Sequence, residues 1–471
     1  MAGPILSLRR SLNRAMAFKV VLVMALVGVT LALPRSESAH ADDGTPAANT
    51  SVPCVFQFSP TTYEGTRDRK MYLDTIDLAA FNMLFPGDPY FGLPDIELGP
   101  RDNRSTQPGQ VPPVLLKSIA YIESSMAQGD STVAWGSVGP ALVAFDCGHG
   151  ITQVTTDMTL PEGEGGLGSP NQALVATHFA YNIARGAAVL VDKWNKAPDE
   201  LPIAGSNTQG HPSLLENWYF AVWAYNGFTG PGSGRSNHPM DPIYGSWPRT
   251  SYSCGPTDDG LGHNRSNYPY QELVFGCAAH PPVIDGETLW DAQPVSLPDL
   301  NNKTVKKALD LSNFVFPYTH MDIPTPSPFH MDLTPAPDPA LRDQILGSPV
   351  MALSTTEAEV DFVPGEQAST ADVDVFNTGT GVLAWYALGP DSWLKVTPYT
   401  GVAVGLDMPC SPGAPCDRAG HIKISVDPQL VPPGTTSIPI VVQGLGLPVN
   451  QIVNLTVRQV DSLDDVALAG N

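Results

Sequence analysis

The residue in this chain best placed to move a proton is Glu123, within Leu115-Leu116-Lys117-Ser118-Ile119-Ala120-Tyr121-Ile122-Glu123-Ser124-Ser125. Read as a helix, Leu115, Ile119, Ile122 and Met126 fall at i, i+4, i+7 and i+11 and make one apolar stripe. Glu123 lies at the edge of that stripe, on a row shared with Leu116, Ala120 and Ala127. A carboxyl there is partly desolvated, and desolvation raises its pKa because the charged form is the one penalised. A general acid needs that shift. A glutamate at ~4.3 is only about 0.2% protonated at pH 7, whereas one tuned to about 6 is roughly 10% protonated. An isolated helix glutamate is ordinarily a solvated surface residue. The residues downstream of this one change that reading.

Three further features appear in order after Glu123-Ser124. Gly148-His149-Gly150-Ile151-Thr152-Gln153-Val154-Thr155 is a glycine-rich approach to a polar residue between apolar ones. Asn182-Ile183-Ala184-Arg185-Gly186, with Leu190, lies inside a long helical stretch, and Ala224-Tyr225-Asn226-Gly227 closes another. Singly, each has an ordinary explanation: Gln153 as surface polar, Asn182 as a local cap, Tyr225 as a core aromatic with its hydroxyl at the rim. Together, over residues 112–280, they resemble the lysozyme-like lytic transglycosylase family, which includes soluble lytic transglycosylases and goose-type lysozymes. The resemblance implies a catalytic acid at Glu123 followed by Ser124. It equates Gly150-Ile151-Thr152-Gln153 with a Gly-Leu-Met-Gln motif, and Asn182, Ile183 and Gly186 with an Asn-Ile motif and its following glycine. It equates Ala224, Tyr225 and Asn226 with an Ala-Tyr-Asn motif. Thr152 stands where the family has Met, and the segment from Ser125 to Gly148 is longer than usual and contains Trp135 and Cys147.

Cleaving a β-1,4 glycosidic bond needs a proton delivered to the leaving oxygen, and positioned acid catalysis contributes ~10²–10⁴-fold. Most glycosidases add a second carboxylate. No acid has a fixed place beside the four motifs, although Asp130, Asp146 and Asp157 lie in the intervening loops. The resemblance implies another route, in which the muramoyl C6 hydroxyl attacks the anomeric carbon and Glu123 turns from acid to base. It places Tyr225 in a hydrogen bond that orients Glu123, Ser124, Gln153 and Asn226 on sugar groups, and Asn182 in support of the cleft. The expected activity is lytic transglycosylation of peptidoglycan glycan strands. The alternatives are a hydrolytic muramidase or chitinase-like glycosidase, and a non-catalytic cell-surface glycan-binding protein.

The elements around these residues divide the chain. Asp42 to Val52 is a polar lead-in, Asp68 to Leu84 has helical spacing, and Pro- and Gly-rich loops run from Pro86 to Pro113. Proline is tolerated in a first helical turn, so Pro112-Pro113 suits entry to the Glu123 helix. Asn171 to Trp194 reads as one long buried helix. Ser213-Leu214-Leu215-Glu216 reads as a capping box opening another, with Leu214, Trp218, Ala221, Val222 and Tyr225 facing the core. Gly227 and the run Gly230–Gly234 stop that helix. Twelve prolines between 281 and 349 predict a semi-rigid extended linker, with one short helix near Asn302–Leu311. His320-Met321-Asp322 recurs there as His330-Met331-Asp332, but two copies in a spacer fix no metal geometry.

From Met351 the pattern alternates, in Ala371–Phe376, His421–Val426 and Ile452–Val457, with turns at Asn377–Gly381, Pro433–Thr435 and Gly444–Gly446. This predicts an antiparallel immunoglobulin-like β-sandwich. Asn377-Thr378-Gly379-Thr380-Gly381 before Trp385, and Trp393-Leu394 before Pro398 and Gly401, resemble a BACON-type module. Such a module implies attachment to cell-surface carbohydrate, against the alternative that both tryptophans are core and the domain a spacer.

The whole reads as a multidomain protein: a signal peptide (1–41), an N-terminal extension packing on the catalytic domain (42–111), a mainly α, lysozyme-like catalytic domain (112–280), the Pro-rich linker (281–349), the all-β sandwich (350–460) and a tail (461–471). Arg9, Arg10, Arg14 and Lys19 precede an apolar run from Val20 to Leu33, and Ala39-His40-Ala41 supplies a small-x-small cleavage site after Ala41. Fourteen apolar residues are short for a membrane span of about 20, with an uncleaved anchor as the alternative. The remainder carries 20 basic and 46 acidic residues, a net charge of −26 (25 Lys+Arg less five, 47 Asp+Glu less one). That excludes a nucleic-acid binder, which needs a basic face. Six cysteines suit an oxidising, extracytoplasmic compartment. Proximity pairs Cys410 with Cys416 and Cys254 with Cys277, leaving Cys54 with Cys147, one of 15 possible sets. Nothing suggests a metal, nucleotide or redox cofactor, and His149 between two glycines reads as a loop residue.

Overall fold

Proline at the first turn and an unbroken apolar stripe make a helix of Pro113–Ser124, most of whose residues are buried. The computed structural model describes residues 54–463 apart from 57, 164–165, 230–235, 257–262, 315–320, 411–415 and 449. The leader, its apolar run and cleavage site, the Gly230–Gly234 run, His320 and the tail from 464 lie outside the described residues. In chain order, β1 (Thr61–Glu64) and α1 (Lys70–Ala80) lead to a hairpin of β2 (Ile96–Leu98) and β3 (Ser105–Gln107), then to α2 (Pro113–Ser124). Next, β4 (Ser137–Pro140) returns to pair antiparallel with β1. Helices α3 (Pro170–Thr177), α4 (Phe179–Glu200), α5 (Tyr219–Tyr225) and α6 (Tyr270–Ala279) complete the helical body.

The buried face of α2 carries Leu115, Leu116, Ile119, Ala120 and Ile122. Each large aliphatic side chain so buried contributes roughly 1.5–3 kcal/mol. The helix stops where Ser125 and Met126 turn left-handed, at φ 54° and 57°. The N–H groups of Ser125 and Met126 then take the carbonyls of Tyr121 and Ala120.

Two local expectations are corrected. The stretch Asn171–Trp194 is not one helix: α3 and α4 meet at 105°. His178 takes an extended conformation at the break, and its Nδ1 accepts the N–H of Ala180 to cap α4. Nor does Ser213-Leu214-Leu215-Glu216 form a capping box. Ser213 Oγ bonds to His211, and the buried Glu216 carboxylate turns to another segment. That segment is the Pro-rich stretch, and its expected role as an extended linker is the third correction. After a hairpin of β5 (Val283–Ile284) and β6 (Glu287–Thr288) and helix α7 (Lys303–Ala308), residues 321–346 lie along the helical body as a strap. Asp322 pairs with Arg101 and accepts the N–H of Ile203. His330 pairs with Glu216 at 2.8 Å, and Asp332 Oδ2 accepts the N–H of Val114 at 2.7 Å. Helix α8 (Ala340–Leu346) ends the strap against α1, with Arg342 Nε on the carbonyl of Leu84. Prolines lack a donor, so the segment joins no sheet, and it docks through isolated backbone bridges at Ile323 and Met331 together with the side chains of Asp322, His330 and Asp332.

Strands β7 (Met351–Leu353), β8 (Glu357–Val363), β9 (Gln367–Ala368), β10 (Ala371–Asn377), β11 (Val382–Leu388), β12 (Leu394–Thr397), β13 (Thr400–Val404), β14 (Gly420–Val426), β15 (Ser437–Gly444) and β16 (Asn450–Gln459) form the β region. One sheet runs β12-β14-β10-β7, the other β13-β11-β15-β16-β8-β9, with β16 and β8 parallel. Trp385 and Trp393 are core residues, 0% and 5% exposed, so neither offers a ring to a carbohydrate. The region is no free module either. Strand β11 sends Leu383, Trp385 and Ala387 into the sandwich interior, and Val382, Ala384 and Tyr386 into the core of the helical body. Tyr386 donates to the carbonyl of Gly168 at 2.7 Å, and Tyr399 accepts its N–H at 2.9 Å. Cys54–Cys147, Cys254–Cys277 and Cys410–Cys416 are the disulfides.

Pro112, at the N-terminus of α2, provides no side-chain cap, and Asp332 takes that place from the strap. Asp332→Ala is therefore expected to lower the unfolding free energy by about 1 kcal/mol. Asp332→Asn should recover part of it, both read by denaturant unfolding of the full chain.

Candidate active site

Asn182, in the first turns of α4, is fully buried and uses its whole carboxamide on the chain around it. Its Oδ1 accepts the N–H and hydroxyl of Thr152, each at 2.9 Å, and its Nδ2 donates to the carbonyls of His149 and Val175. The loop 149–152 is thereby pinned on α4. Gly186 makes this possible, because a Cβ there would come within 2.6 Å of the Thr152 Cβ. Gly150, at φ +65°, turns the loop where a side chain would strike Gln128 and Asn182.

The pinned loop in turn fixes α2 and α5. Ser124 Oγ donates to the carbonyl of Ile151 at 2.7 Å, and Tyr225 donates its hydroxyl to the carbonyl of Thr152 at 2.8 Å. Gln153, at φ 47°, folds its Nε2 back on the carbonyl of Gly150, and its Oε1 is buried without a donor. The polar groups of Ser124 and Asn182 are thus committed to the scaffold and not open to a sugar, whereas Gln153 commits its Nε2 and leaves its Oε1 without a partner. Tyr225 does not bond to Glu123, contrary to expectation, because its hydroxyl is already spent on the loop.

Glu123 is oriented by a residue that no motif contained. Tyr270, at the start of α6, donates its hydroxyl to Glu123 Oε1 at 2.5 Å. Asn226, exposed at the end of α5, also hydrogen-bonds the carboxyl and is itself held by Asn237 at 2.9 Å. Burial raises the Glu123 pKa from 4.5 to about 7. The Tyr270 hydrogen bond and the charge of Arg265 pull it down, Asp146 pushes it up, and Asn226 lowers it. The side chain keeps a partial opening to solvent, and a pKa of about 7 leaves both the acid and the carboxylate accessible near neutral pH. Burial, then the Glu123 charge, hold the Tyr225 and Tyr270 phenols neutral. His149 is a buried neutral loop residue, its pKa lowered by burial to about 4, with Nδ1 on the carbonyl of Cys147.

The arrangement can hand a proton to an oxygen and take one back, and among the described residues no cluster of His, Cys, Asp or Glu is built to hold a metal ion. A cavity of about 290 Å³ opens at the other end of α2, lined by Phe81, Val111, Pro113 and Met331, and includes none of these residues. The one signal for Tyr270 in the sequence was its position after Pro269, where a helix begins. Its distance from Glu123 along the chain hid the pairing.

No family model and no curated protein matches the chain. Among solved structures, 24% of the chain superposes on 86% of an ASH/PapD-like domain of human CEP192, at 11% identity and a TM-score of 0.17. Another match covers 23% of the chain and 57% of the periplasmic chaperone SfaE, at 13% identity and a TM-score of 0.18. Likeness at that level carries no argument about fold or chemistry.

Asn182→Ala strips four hydrogen bonds from a buried loop and should cost about 3 kcal/mol of stability, read by thermal or denaturant unfolding. Glu123 makes the opposite prediction. Its folded pKa lies above its unfolded one, so the unfolded chain releases the proton first, and stability falls as pH rises between about 4.5 and 7. Glu123→Gln should therefore be more stable than wild type at pH 8, by up to about 3 kcal/mol, and no more stable at pH 4.

Proposed function

We propose that this is an exported, lysozyme-like lytic transglycosylase that cleaves the β-1,4 bond between MurNAc and GlcNAc in peptidoglycan glycan strands. The observation that carries the reading is the Glu123 carboxyl. It is enclosed at a helix end, shifted to about 7, and oriented by the Tyr270 hydroxyl. In the first half of the reaction Glu123 gives its proton to the bridging oxygen as the C1–O4 bond breaks. In the second half the carboxylate takes the proton of the muramoyl C6 hydroxyl, whose oxygen closes on C1 to give the 1,6-anhydro product. No water is consumed, and Glu123 ends protonated as it began. In this reading Asn226, the exposed member of the group, meets a sugar substituent, and its exposure supports that role. Three disulfides, with the basic and apolar leader ending at Ala41, support export.

One observation favours a second reading. The exposed carboxylate of Asp146 is close enough to act on Glu123, and a second acid across the bond is the arrangement of a hydrolytic glycosidase, muramidase or chitinase-like. The sandwich serves either reading as a structural partner of the helical body. Attachment to cell-surface carbohydrate would have to use residues other than the buried Trp385 and Trp393.

Digestion of purified glycan strands, with products weighed by mass spectrometry, tests the proposal. Wild type should release anhydro-muramoyl fragments, and Glu123→Gln should lose at least about 100-fold in rate. Products heavier by one water, ending in a reducing sugar, would select the hydrolytic reading. Near-normal turnover by Glu123→Gln would remove both.

A further inference from the structure

Arginines of the helical body are ordinarily given a carboxylate of their own. Arg69 pairs with Glu64, Arg101 with Asp322, Arg104 with Glu97, Arg185 with Asp157 and Arg249 with Glu272. Arg265 has no such partner among the described residues. It sits in the 3₁₀ turn Arg265–Asn267, whose first N–H groups Asn264 caps. Its Nη2 donates to the carbonyl of Ile122, one of the last carbonyls of α2, and its Nε is buried without an acceptor. Tyr252, Glu123, Tyr121 and Tyr270 lie near enough to act on its charge, and Glu123 is the carboxylate among them. Leaving a buried guanidinium N–H without an acceptor is costly, so its position calls for a compensating role.

We infer that Arg265 is a positioning residue that clasps the end of α2 and serves as counter-charge to Glu123 when that residue stands as a carboxylate. This rests on the reading of Glu123 as acid and then base. After the first proton transfer a negative charge is born in a largely buried site that only partly opens to water. A fixed cation already in place stabilises that charge without moving. The other groups facing Glu123 do not suffice. Tyr270 and Asn226 supply neutral donors, Tyr225 is a neutral phenol bonded elsewhere, and Asp146 is of the wrong sign. A basic group at the C-terminal end of α2 also complements the helix dipole, so one side chain performs both tasks.

The test separates charge from clasp. Full-length protein carrying ¹³C in the glutamate side-chain carboxyl is titrated by NMR, with Glu123→Gln assigning the signal. In Arg265→Met the Glu123 midpoint should move up by about 1 pH unit, because an opposite charge has been removed. In Arg265→Lys it should stay near wild type. The alkaline limb of glycan cleavage should move in the same direction in the methionine variant, whereas a purely structural role would lower activity evenly across pH. Should the methionine variant fail to fold, Arg265→Gln, neutral but still a donor, takes its place. An unmoved midpoint in a folded neutral variant overturns the inference, and so does failure of both neutral variants to fold, which would leave Arg265 a structural clasp. A wild type that never shortens glycan strands would sink the catalytic reading alone, since the titration still decides whether Arg265 and Glu123 are coupled.

Discussion

A single carboxamide holds the site together. Asn182 satisfies both its donors and its acceptor inside the chain, and each bond fixes a different part of the 149–152 loop or the helix beside it. Once that loop is rigid, its free carbonyls become anchor points: Ile151 for Ser124 on α2, and Thr152 for Tyr225 on α5. Two helices distant in sequence are thus referred to one turn of backbone. A neutral network of this kind is favourable only when fully satisfied, because a half-bonded amide in a dry interior costs more than an apolar side chain would. The need for complete satisfaction leaves Ser124, Asn182 and Tyr225 with nothing to offer a ligand.

Helix α2 is held at both ends by segments that arrive late in the chain. The strap places the carboxylate of Asp332 at its N-terminus, and the turn before α6 places Arg265 at its C-terminus. Negative at the start and positive at the end is the arrangement the helix dipole favours, and each contact contributes roughly 0.3–1 kcal/mol. A helix of 12 residues with a proline cap is marginal by itself, so its placement depends on these tertiary contacts. The same strap ties Glu216, just ahead of α5, to His330. Orientation of the carboxyl therefore depends on residues up to about two hundred positions away.

The parts legible in the sequence were those whose physics is local. The apolar stripe of α2 and the alternation of β10, β14 and β16 follow from side-chain periodicity. The three disulfides followed sequence proximity, helped by the absence of an odd cysteine. What failed to show was non-local. Extended His178 breaks a helix that composition alone would continue, because its ring caps the next one. The proline-rich stretch looked like a spacer since it docks through single backbone bridges and isolated aspartates, each of which reads as a solvated charge until its partner is known. Strand β11 hinted at burial on both faces through its unbroken apolar run. That one face met helices and not another sheet could not be read from it. Tyr270 and Arg265 lie some 140 residues after Glu123, the former 147 and the latter 143 residues from the group it contacts. No spacing rule reaches that far.

Enclosing a carboxyl until it titrates near neutrality works against the fold, since every pH unit of upward shift costs about 1.4 kcal/mol once the group ionises. The compensation must be local enough to hold the geometry and strong enough to leave net stability. The Cys54–Cys147 bond meets both demands. It closes 93 residues, a loop for which the chain-entropy account gives about 4–5 kcal/mol. It also ties the start of the described chain to the residues between Asp146 and Gly148. That stretch puts Asp146 in the field of Glu123. The disulfide therefore gives this loop a fixed place beside Glu123. Asp146 acts on the Glu123 carboxyl from a loop anchored at its neighbour and pinned again three residues later by Asn182.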